Sequence, residues 1–448
     1  MTEPAELLTG RGLVELAALV RSREVSATDL VRASLDRIAA TDDRLHAYVT
    51  VDAEGALATA AVLDAESARV GMRGPLHGIP IAVKDNIPTR GLRTTYNSRA
   101  YEHWVPDREP PTVRRLRAAG AVIVGKANLN EFGWSIPSDD DLVPPPRNPW
   151  NPAHRAVGSS SGSAVAVAAG TVVAALGTDG GGSTRLPASQ MGLVGLKPTR
   201  GTESGTGGLV DEVSVVSVLA RSAADAAAVY AAMTGAPADA AEPMTRLAVP
   251  RRQIAELPVE PEVAAAFEDS LRTLAETGVE LVDVDVPHLS AARDANFVLI
   301  TALSHADHRG DLRERESLLG ESTRRYLRLG AALGAADYLD ARGMAAAFGR
   351  ELDAATAGCA GLVTPISTVV TTAAARRPGE HSRGLNASFT APFNLTGRPA
   401  VSIPSHTSRE GIPLGLQVAG RPGDEARLLD LAARYGAHTG RTGLVAPC

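Results

Sequence analysis

GSSSGSAVAVAAGTVVAALGTDGGGSTRLPASQMGLVGLKPT, residues 158–199, is the stretch that decides the fold of this 448-residue chain. Its pattern predicts a Ser/Gly turn and a helix of small residues over 164–169, followed by a short apolar run over 172–176. A second turn, Gly180-Gly181-Gly182, ends on Ser183. Three adjacent glycines cost backbone entropy on folding. Enzymes retain such a run where backbone N–H groups must face a ligand, and in acyl-transfer chemistry that ligand is an oxyanion.

An upstream segment, GIPIAVKDN, occupies residues 78–86. Its apolar run predicts a short buried strand that leads directly into Lys84. Most lysines lie at the surface, but this position favours burial. Burial disfavours the ammonium form and lowers the pKa of a lysine. Lys84 is therefore expected to reach the neutral state that a general base needs.

The serine chemistry does not follow the histidine-dependent pattern. None of the ten histidines stands in a nucleophile-elbow context, and GxSxG is absent around Ser183. A Ser–Lys arrangement is the known alternative. The glycine run could also be a phosphate cradle, but it does not end in Gly-Lys-Ser/Thr.

These motifs together resemble the amidase signature family, serine hydrolases with a Ser–Ser–Lys triad. The family pattern is roughly GxPxxVKDN, then GGSSGGS, a helical segment, GTDTGGSIRxPA and GLKPT. This chain has GIPIAVKDN, VGSSSGS, GTDGGGSTRLPA and GLKPT in that order. FNLTGRPA at 393–400 and GLQ at 415–417 also resemble family segments. The resemblance covers nearly the whole chain and is weakest between roughly 290 and 360.

The resemblance implies a role for each catalytic residue. Ser183 matches the nucleophile, Ser159 the bridging serine and Lys84 the base. Family members hold a non-proline cis peptide bond beside the bridging serine, so one is expected beside Ser159. Ser160 is expected to contact substrate. The oxyanion hole is expected from the backbone N–H groups of Gly180, Gly181, Gly182 and Ser183.

Several positions depart from the family pattern. Gly180 replaces a Thr, Ile or Leu, and extra freedom there is expected to loosen the oxyanion hole. Val157 and Ser161 replace glycines of the first motif. Two further segments, 138–141 and 211–219, differ from those usual in the family. We expect these differences to change the residues that line the site.

The predicted fold class is α/β, a large mixed β-sheet covered by helices on both faces, as the resemblance implies. Helices predicted at 112–119 and 261–276 alternate with strands at 121–126 and 280–286, which favours the same class. We expect one amidase domain over 1–448, with a variable helical substrate-side region at 290–360.

Composition narrows the function classes. The net charge of -6 with mixed signs argues against nucleic acid as a partner. Two distant cysteines make neither a disulfide framework nor a metal site. HADH at 305–308 and the acidic loop at 139–141 are weak metal patterns, so we predict no metal and no cofactor. No signal pattern or long apolar run is present, and a cytoplasmic enzyme that contacts no membrane is expected.

Three functions remain open. The preferred one is a stand-alone amidase that hydrolyses a small carboxylic amide through a Ser183 acyl-enzyme. The alternatives are a protein like the A-subunit of a glutamine-dependent amidotransferase, which releases ammonia for a partner, and an acyl-transferring biosynthetic member. The middle region lacks a tyrosine-rich segment associated with the glutamine-dependent enzyme, which favours the first. A homodimer is a further option.

Overall fold

The structure is a computed structural model that describes residues 4–134, 138, 141–202, 208–236, 242–370 and 386–448. Asp139 and Asp140 of the acidic loop lie outside the described residues.

The described strands form one mixed sheet in the order β1-β3-β2-β4-β6-β5-β10-β11-β9-β7-β8. β3, β2 and β4 run parallel, as do β9, β7 and β8, and the remaining pairs are antiparallel. The strands are β1 Tyr48–Val51, β2 Pro80–Lys84, β3 Val122–Ala127, β4 Ala174–Asp179, β5 Val194–Lys197, β6 Val215–Ala220, β7 Arg246–Val249, β8 Glu280–Asp283, β9 Gly361–Pro365, β10 Ala400–Thr407 and β11 Pro413–Ala419.

Fifteen α-helices connect and cover these strands within the described residues. They are α1 Pro4–Gly10, α2 Leu13–Ser22, α3 Ala27–Leu45, α4 Ala53–Arg69, α5 Pro111–Ala118, α6 Ser161–Ala168, α7 Arg185–Met191, α8 Ala223–Thr234, α9 Arg251–Ala255, α10 Pro261–Glu276, α11 Leu289–Glu314, α12 Glu321–Ala331, α13 Ala335–Ala355, α14 Ala391–Leu395 and α15 Glu425–Thr439. The predicted helical character of 290–360 agrees with α11 to α13.

Strand β2 shows why both faces of the sheet are covered. Successive side chains of a strand point to opposite faces, and every residue of β2 is buried. Ile81 and Val83 pack in one apolar cluster with α2, whereas Ala82 packs in a second cluster with α3 and α6. The predicted fold class, a mixed sheet with helices on both faces, is confirmed.

Helix α6 is buried along its whole length, which explains its small residues. A Cβ at Gly162 would lie 2.4 Å from the Asn128 backbone nitrogen and 2.5 Å from the Ala47 oxygen. Only glycine permits this approach. The helix begins at Ser161, three residues before the predicted start, and so places Ser159 and Ser160 at its entrance.

Strand β4 overlaps the apolar run at 172–176 and extends beyond it. Gly170 adopts φ +70° after α6, and the strand begins at Ala174 rather than at residue 172. It continues to Asp179 because its pairing with β6 extends to Val215. This extension places Thr178 and Asp179 at the carboxyl end of β4, directly before the glycine turn.

Candidate active site

Lys84 and Ser159 meet although 75 positions separate them in the chain. Lys84 ends β2, Ser159 precedes α6, and Lys84 Nζ lies 2.7 Å from Ser159 Oγ. Neither side chain has appreciable solvent exposure, since Lys84 is fully buried and Ser159 is 4% exposed. The fold thus brings together two of the three residues predicted to be catalytic.

Burial lowers the pKa of Lys84 to about 7, and the nearby Asp179 carboxylate opposes this shift. Lys126 is equally buried and its pKa is lowered to about 8, mainly by burial. Their hydrogen bonds differ. Lys126 donates to the Ile87 carbonyl and two threonine hydroxyls, which is a structural role. Lys84 contacts hydroxyls beside the glycine turn, where a proton can be relayed.

Thr178 and Asn86 complete the surroundings of the lysine, and neither was assigned a role from the sequence. Lys84 Nζ donates to Thr178 Oγ1 at 2.8 Å, and Asn86 Nδ2 donates to the same oxygen at 3.1 Å. Asn86 lies in the KDN motif and Thr178 in the GTD motif. Membership of these motifs was the sequence signal that could have identified both residues. They fix the position of the lysine nitrogen relative to Ser159.

Ser183 lies at the end of the glycine turn with a partly exposed side chain. Its backbone oxygen accepts the Ser160 N–H at 3.0 Å, which holds the turn against the start of α6. Within the described part of the chain, no hydrogen bond joins the Ser183 hydroxyl to Ser159. The nucleophile role of Ser183 therefore stays a prediction.

Asp179 organises the glycine turn from inside. Its carboxylate accepts the N–H groups of Gly182 at 2.7 Å, Thr184 at 3.3 Å and Arg185 at 3.4 Å. By contrast, among the described residues no acceptor takes the N–H groups of Gly180, Gly181 and Ser183. These three N–H groups remain available to a ligand, whereas that of Gly182 is already donated.

The Asp179 carboxylate is itself held by a buried ion pair. Burial would raise the pKa of Asp179, but the Arg185 guanidinium, 2.9 Å away, together with Lys197 and Asn394, lowers it well below its usual range. Asp179 and Arg185 are both fully buried. Asp179 is therefore ionised and Arg185 fixes it in place.

Ser160 is fully buried and its hydroxyl is paired with the backbone of Thr178. It accepts the Thr178 N–H at 3.2 Å and donates to the Thr178 carbonyl at 3.1 Å. These bonds tie the entrance of α6 to β4. A substrate contact through this hydroxyl remains a prediction and would require a rearrangement of these bonds.

The expectation of a cis peptide bond beside Ser159 is wrong, because the described residues contain none. The chain turns at Gly158 instead, which has φ +84°. A Cβ at Gly158 would lie 2.4 Å from Pro187 Cδ. Both the conformation and the close approach require glycine.

Aromatic rings are few in this chain, with three Trp, seven Tyr and six Phe. Seven of them and His308 form one connected set of ring contacts, here called the aromatic network. Its members are Tyr96, Tyr101, Trp104, Phe132, Trp134, Phe297, Tyr326 and His308.

Gly133 brings the aromatic network close to the Lys84–Ser159 pair. Phe132 and Trp134 flank Gly133, and a Cβ at Gly133 would lie 3.4 Å from Ser159 Oγ and 3.7 Å from Lys84 Nζ. Trp134 stacks on Tyr326 with ring centres 4.8 Å apart. The network thus forms an apolar wall beside the Lys84–Ser159 pair, which the low aromatic count did not suggest.

Glu131 joins this wall to helix α12. Its buried carboxylate accepts the Ser98 hydroxyl at 2.6 Å, the Gly320 N–H at 3.0 Å and the Thr323 hydroxyl. Gly320 precedes α12, which carries Tyr326. Glu131 therefore holds two parts of the aromatic network, Phe132 and Tyr326, in a fixed relation.

The weak metal pattern at 305–308 has another explanation. His308 Nδ1 lies 3.0 Å from Asp311 Oδ2, and its ring packs 4.3 Å from Phe132. Within the described ranges, no group of three or more His, Cys, Asp or Glu residues could hold a metal ion. The described helices also include none that is long and apolar enough to cross a membrane.

The family model described as Amidase matches residues 29–429. The chain belongs to the amidase family. This membership confirms the resemblance found in the sequence. A crystal structure titled as an amidase has a TM-score of 0.88 to this chain at 32% identity, covering 95% of this chain and 99% of that one.

Other relatives of this amidase-family chain are components of amidotransferases. The glutamyl-tRNA(Gln) amidotransferase A-subunit of Anaeromyxobacter sp. (strain K) is 37% identical over 96% of this chain and 97% of that protein. The crystal structure of the corresponding A-subunit from Thermotoga maritima has a TM-score of 0.80 at 29% identity, covering 95% and 94% of the two chains. These relatives favour the amidotransferase alternative over the preferred stand-alone amidase.

Proposed function

We propose that this chain cleaves the C–N bond of a carboxamide through an acyl-enzyme on Ser183. The observation that carries the proposal is the 2.7 Å contact between the buried Lys84 Nζ and Ser159 Oγ. The next residue, Ser160, donates its N–H to the Ser183 carbonyl at the end of the glycine turn. A nucleophilic serine needs a base, and a lysine can act as one when burial makes it neutral.

In the first step, Ser183 Oγ attacks the amide carbonyl carbon. The Ser183 proton passes to Ser159, while the Ser159 proton passes to Lys84. The developing oxyanion is stabilised by backbone N–H groups of Gly180, Gly181 and Ser183. The Gly182 N–H donates to the Asp179 carboxylate instead. It contributes to oxyanion stabilisation only indirectly, because this bond fixes the shape of the glycine turn.

The tetrahedral intermediate then collapses and the C–N bond breaks. The protonated Lys84 returns its proton through Ser159 to the leaving nitrogen, so that ammonia or an amine departs neutral. Water then attacks the acyl carbon, and its proton passes through Ser159 to Lys84. The bond from the acyl carbon to Ser183 Oγ breaks, and the proton returns from Lys84 through Ser159 to Ser183 Oγ. The products are a carboxylic acid and free Ser183.

A stand-alone amidase is supported by the apolar wall beside the catalytic pair. A hydrophobic acyl group of a small amide would pack against Trp134 and Phe132, since aromatic side chains favour contact with flat apolar groups. The similarity to the amidase structure at TM-score 0.88 also supports this function.

The second candidate is the A-subunit of a glutamine-dependent amidotransferase, which the sequence relatives favour. Glutamine would acylate Ser183, and a partner protein would take the ammonia. Acyl-enzyme formation is common to both candidates. They differ in the amide donor and in the need for a partner.

Ammonia release from a panel of primary amides tests the proposal. The panel includes glutamine, urea derivatives and aryl amides, with and without hydroxylamine, and uses Ser183→Ala as the blank. Ser163→Ala is a matched control, because Ser163 is a buried serine whose hydroxyl donates to the Leu176 carbonyl of β4. Release that persists in Ser183→Ala contradicts the proposal.

The donor preference then separates the candidates. Release from small or aryl amides without a partner, with hydroxamate formed from hydroxylamine, supports the stand-alone amidase. Release from glutamine alone, increased by an added partner protein, supports the amidotransferase component.

A further inference from the structure

Three side chains from two distant segments, α11 and the start of α14, hold successive carbonyl oxygens from Asp179 to Gly181. Each bond joins a side-chain donor to a backbone acceptor at normal hydrogen-bond distance. The bonds are Asn394 Nδ2 to the Asp179 oxygen at 2.7 Å, Asn296 Nδ2 to the Gly180 oxygen at 3.0 Å, and Thr390 Oγ1 to the Gly181 oxygen at 2.7 Å.

Each of these bonds also fixes the direction of an N–H group. In a trans peptide, the C=O and the following N–H point in opposite directions. Asn296 draws the Gly180 oxygen towards α11, so the Gly181 N–H points away from that helix. The Gly181 N–H has no hydrogen-bond acceptor among the described residues, as noted above.

Gly180 makes the contact with α11 possible. A Cβ at this position would lie 3.0 Å from Ile300 Cδ1 and 3.4 Å from Ser214 Cβ. Ile300 lies one helical turn after Asn296 on α11. The absence of a side chain at 180 therefore lets the helix approach the turn, and the same approach supplies the side chain that restrains it.

Burial of the Asn296 amide destabilises the folded state, and packing alone does not explain why an amide is present at this position. Asn296 is 2% exposed, and its Oδ1 has no hydrogen-bond partner in the described chain. An unpaired buried amide oxygen destabilises the folded state, and an apolar residue of similar size would avoid that cost. The hydrogen bond from Asn296 Nδ2 to the Gly180 oxygen is the interaction that an amide, and not an apolar side chain, can make at this position.

We infer that Asn296 is a positioning residue of the oxyanion hole, which holds the Gly180–Gly181 peptide so that the Gly181 N–H faces the developing oxyanion. The inference rests on the proposed function. Without Asn296, this peptide is free to rotate because glycines flank it on both sides. Rotation would turn the Gly180 carbonyl towards the site and replace a donor by an acceptor.

The rate at which a fluorophosphonate labels Ser183 tests this role without knowledge of the natural substrate. The phosphonyl oxygen occupies the oxyanion hole during attack. Asn296→Leu is expected to slow the inactivation step roughly 10–100-fold, below the loss seen when a donor itself is removed. The dissociation constant of the initial complex is expected to change by less than about twofold, because ground-state binding does not need this donor.

Two further variants separate positioning from folding. Ser304→Ala on the same helix is the matched control, because the buried Ser304 hydroxyl has no partner among the described residues. It should label at the wild-type rate. Asn296→Ala serves as a second variant if Asn296→Leu does not fold, and it should show the same slow labelling.

Restricting residue 180 should partly replace Asn296. The backbone of Gly180 does not have positive φ, so Gly180→Ala is allowed there once Ile300→Val removes Cδ1. This pair of changes should recover roughly two- to fivefold of the rate lost in Asn296→Leu.

The outcomes separate the role of Asn296 from the proposed function. Ser183 labelling at equal rates in Asn296→Leu, Asn296→Ala and Ser304→Ala overturns the role of Asn296 alone. Labelling of another residue, with none on Ser183, overturns the proposed function and this inference with it.

Discussion

The fully buried Lys84 Nζ contacts two hydroxyls at once, Ser159 Oγ at 2.7 Å and Thr178 Oγ1 at 2.8 Å. The Ser159 hydroxyl lies at the start of α6. The Thr178 hydroxyl anchors the lysine to β4. This double contact explains how a buried lysine with a pKa of about 7 is both oriented and able to exchange a proton.

The pH dependence of kcat/KM follows from the Lys84 pKa. The base must be neutral in the free enzyme, and the neutral fraction rises as pH increases through about 7. We expect kcat/KM to rise tenfold per pH unit below this value and to level off above it. Initial rates from pH 5 to 9 measure the profile. A profile that is flat across pH 7 contradicts a neutral lysine base.

Replacement of Lys84 should inactivate the enzyme but stabilise the fold at low pH. Because the folded pKa is lowered from 10.5 to about 7, the unfolded chain binds more protons between these values, and the destabilising contribution of Lys84 fades as pH rises through this window. Lys84→Met should therefore raise the melting temperature at pH 6 more than at pH 10. Thermal unfolding of both proteins measures this, with Lys126→Met as a comparison.

Thr178→Val should lower kcat/KM by about tenfold, because it removes one hydrogen bond from a buried catalytic group. KM should change little, since no substrate contact is lost. Thr171→Val is the matched control, a buried threonine beside Tyr48 at the other end of α6. If both variants lose activity equally, the effect belongs to the core and not to Lys84.

Trp134→Leu should reduce the preference for aromatic acyl groups. The ratio of kcat/KM for phenylacetamide over acetamide is expected to fall by about fivefold to tenfold, as the stacked ring beside the site is lost. Trp104→Leu changes a ring of the same network that is 37% exposed and stacks on Tyr96. Its ratio should stay near wild type. Equal ratios in all three proteins would show that the acyl group binds elsewhere.

Much of the fold and part of the site could be predicted from local sequence. The apolar run before Lys84 correctly indicated a buried strand, and the helix predicted at 261–276 begins at Pro261 and ends at Glu276. These signals lie within a few residues of the feature that they indicate. The ordered motifs placed Lys84 and Ser159 in one family pattern, and the structure brings the two together.

The remaining features depend on contacts between distant segments. Asn296 lies 116 positions from Gly180, and Thr390 lies 209 positions from Gly181, so no local pattern links them. Gly180 was expected to loosen the oxyanion hole, because its neighbours in space were unknown. In the fold, α11 packs against it and holds its carbonyl. The aromatic network likewise joins rings from four separate segments.

The site of fluorophosphonate attachment tests the central claim most directly. The protein is treated with the probe, digested, and the added mass is located by peptide mapping. The proposed mechanism predicts a single adduct on Ser183, absent from Ser183→Ala and strongly slowed in Ser159→Ala and Lys84→Met. An adduct on another residue, lost when that residue is replaced and unaffected in Ser183→Ala, would contradict it.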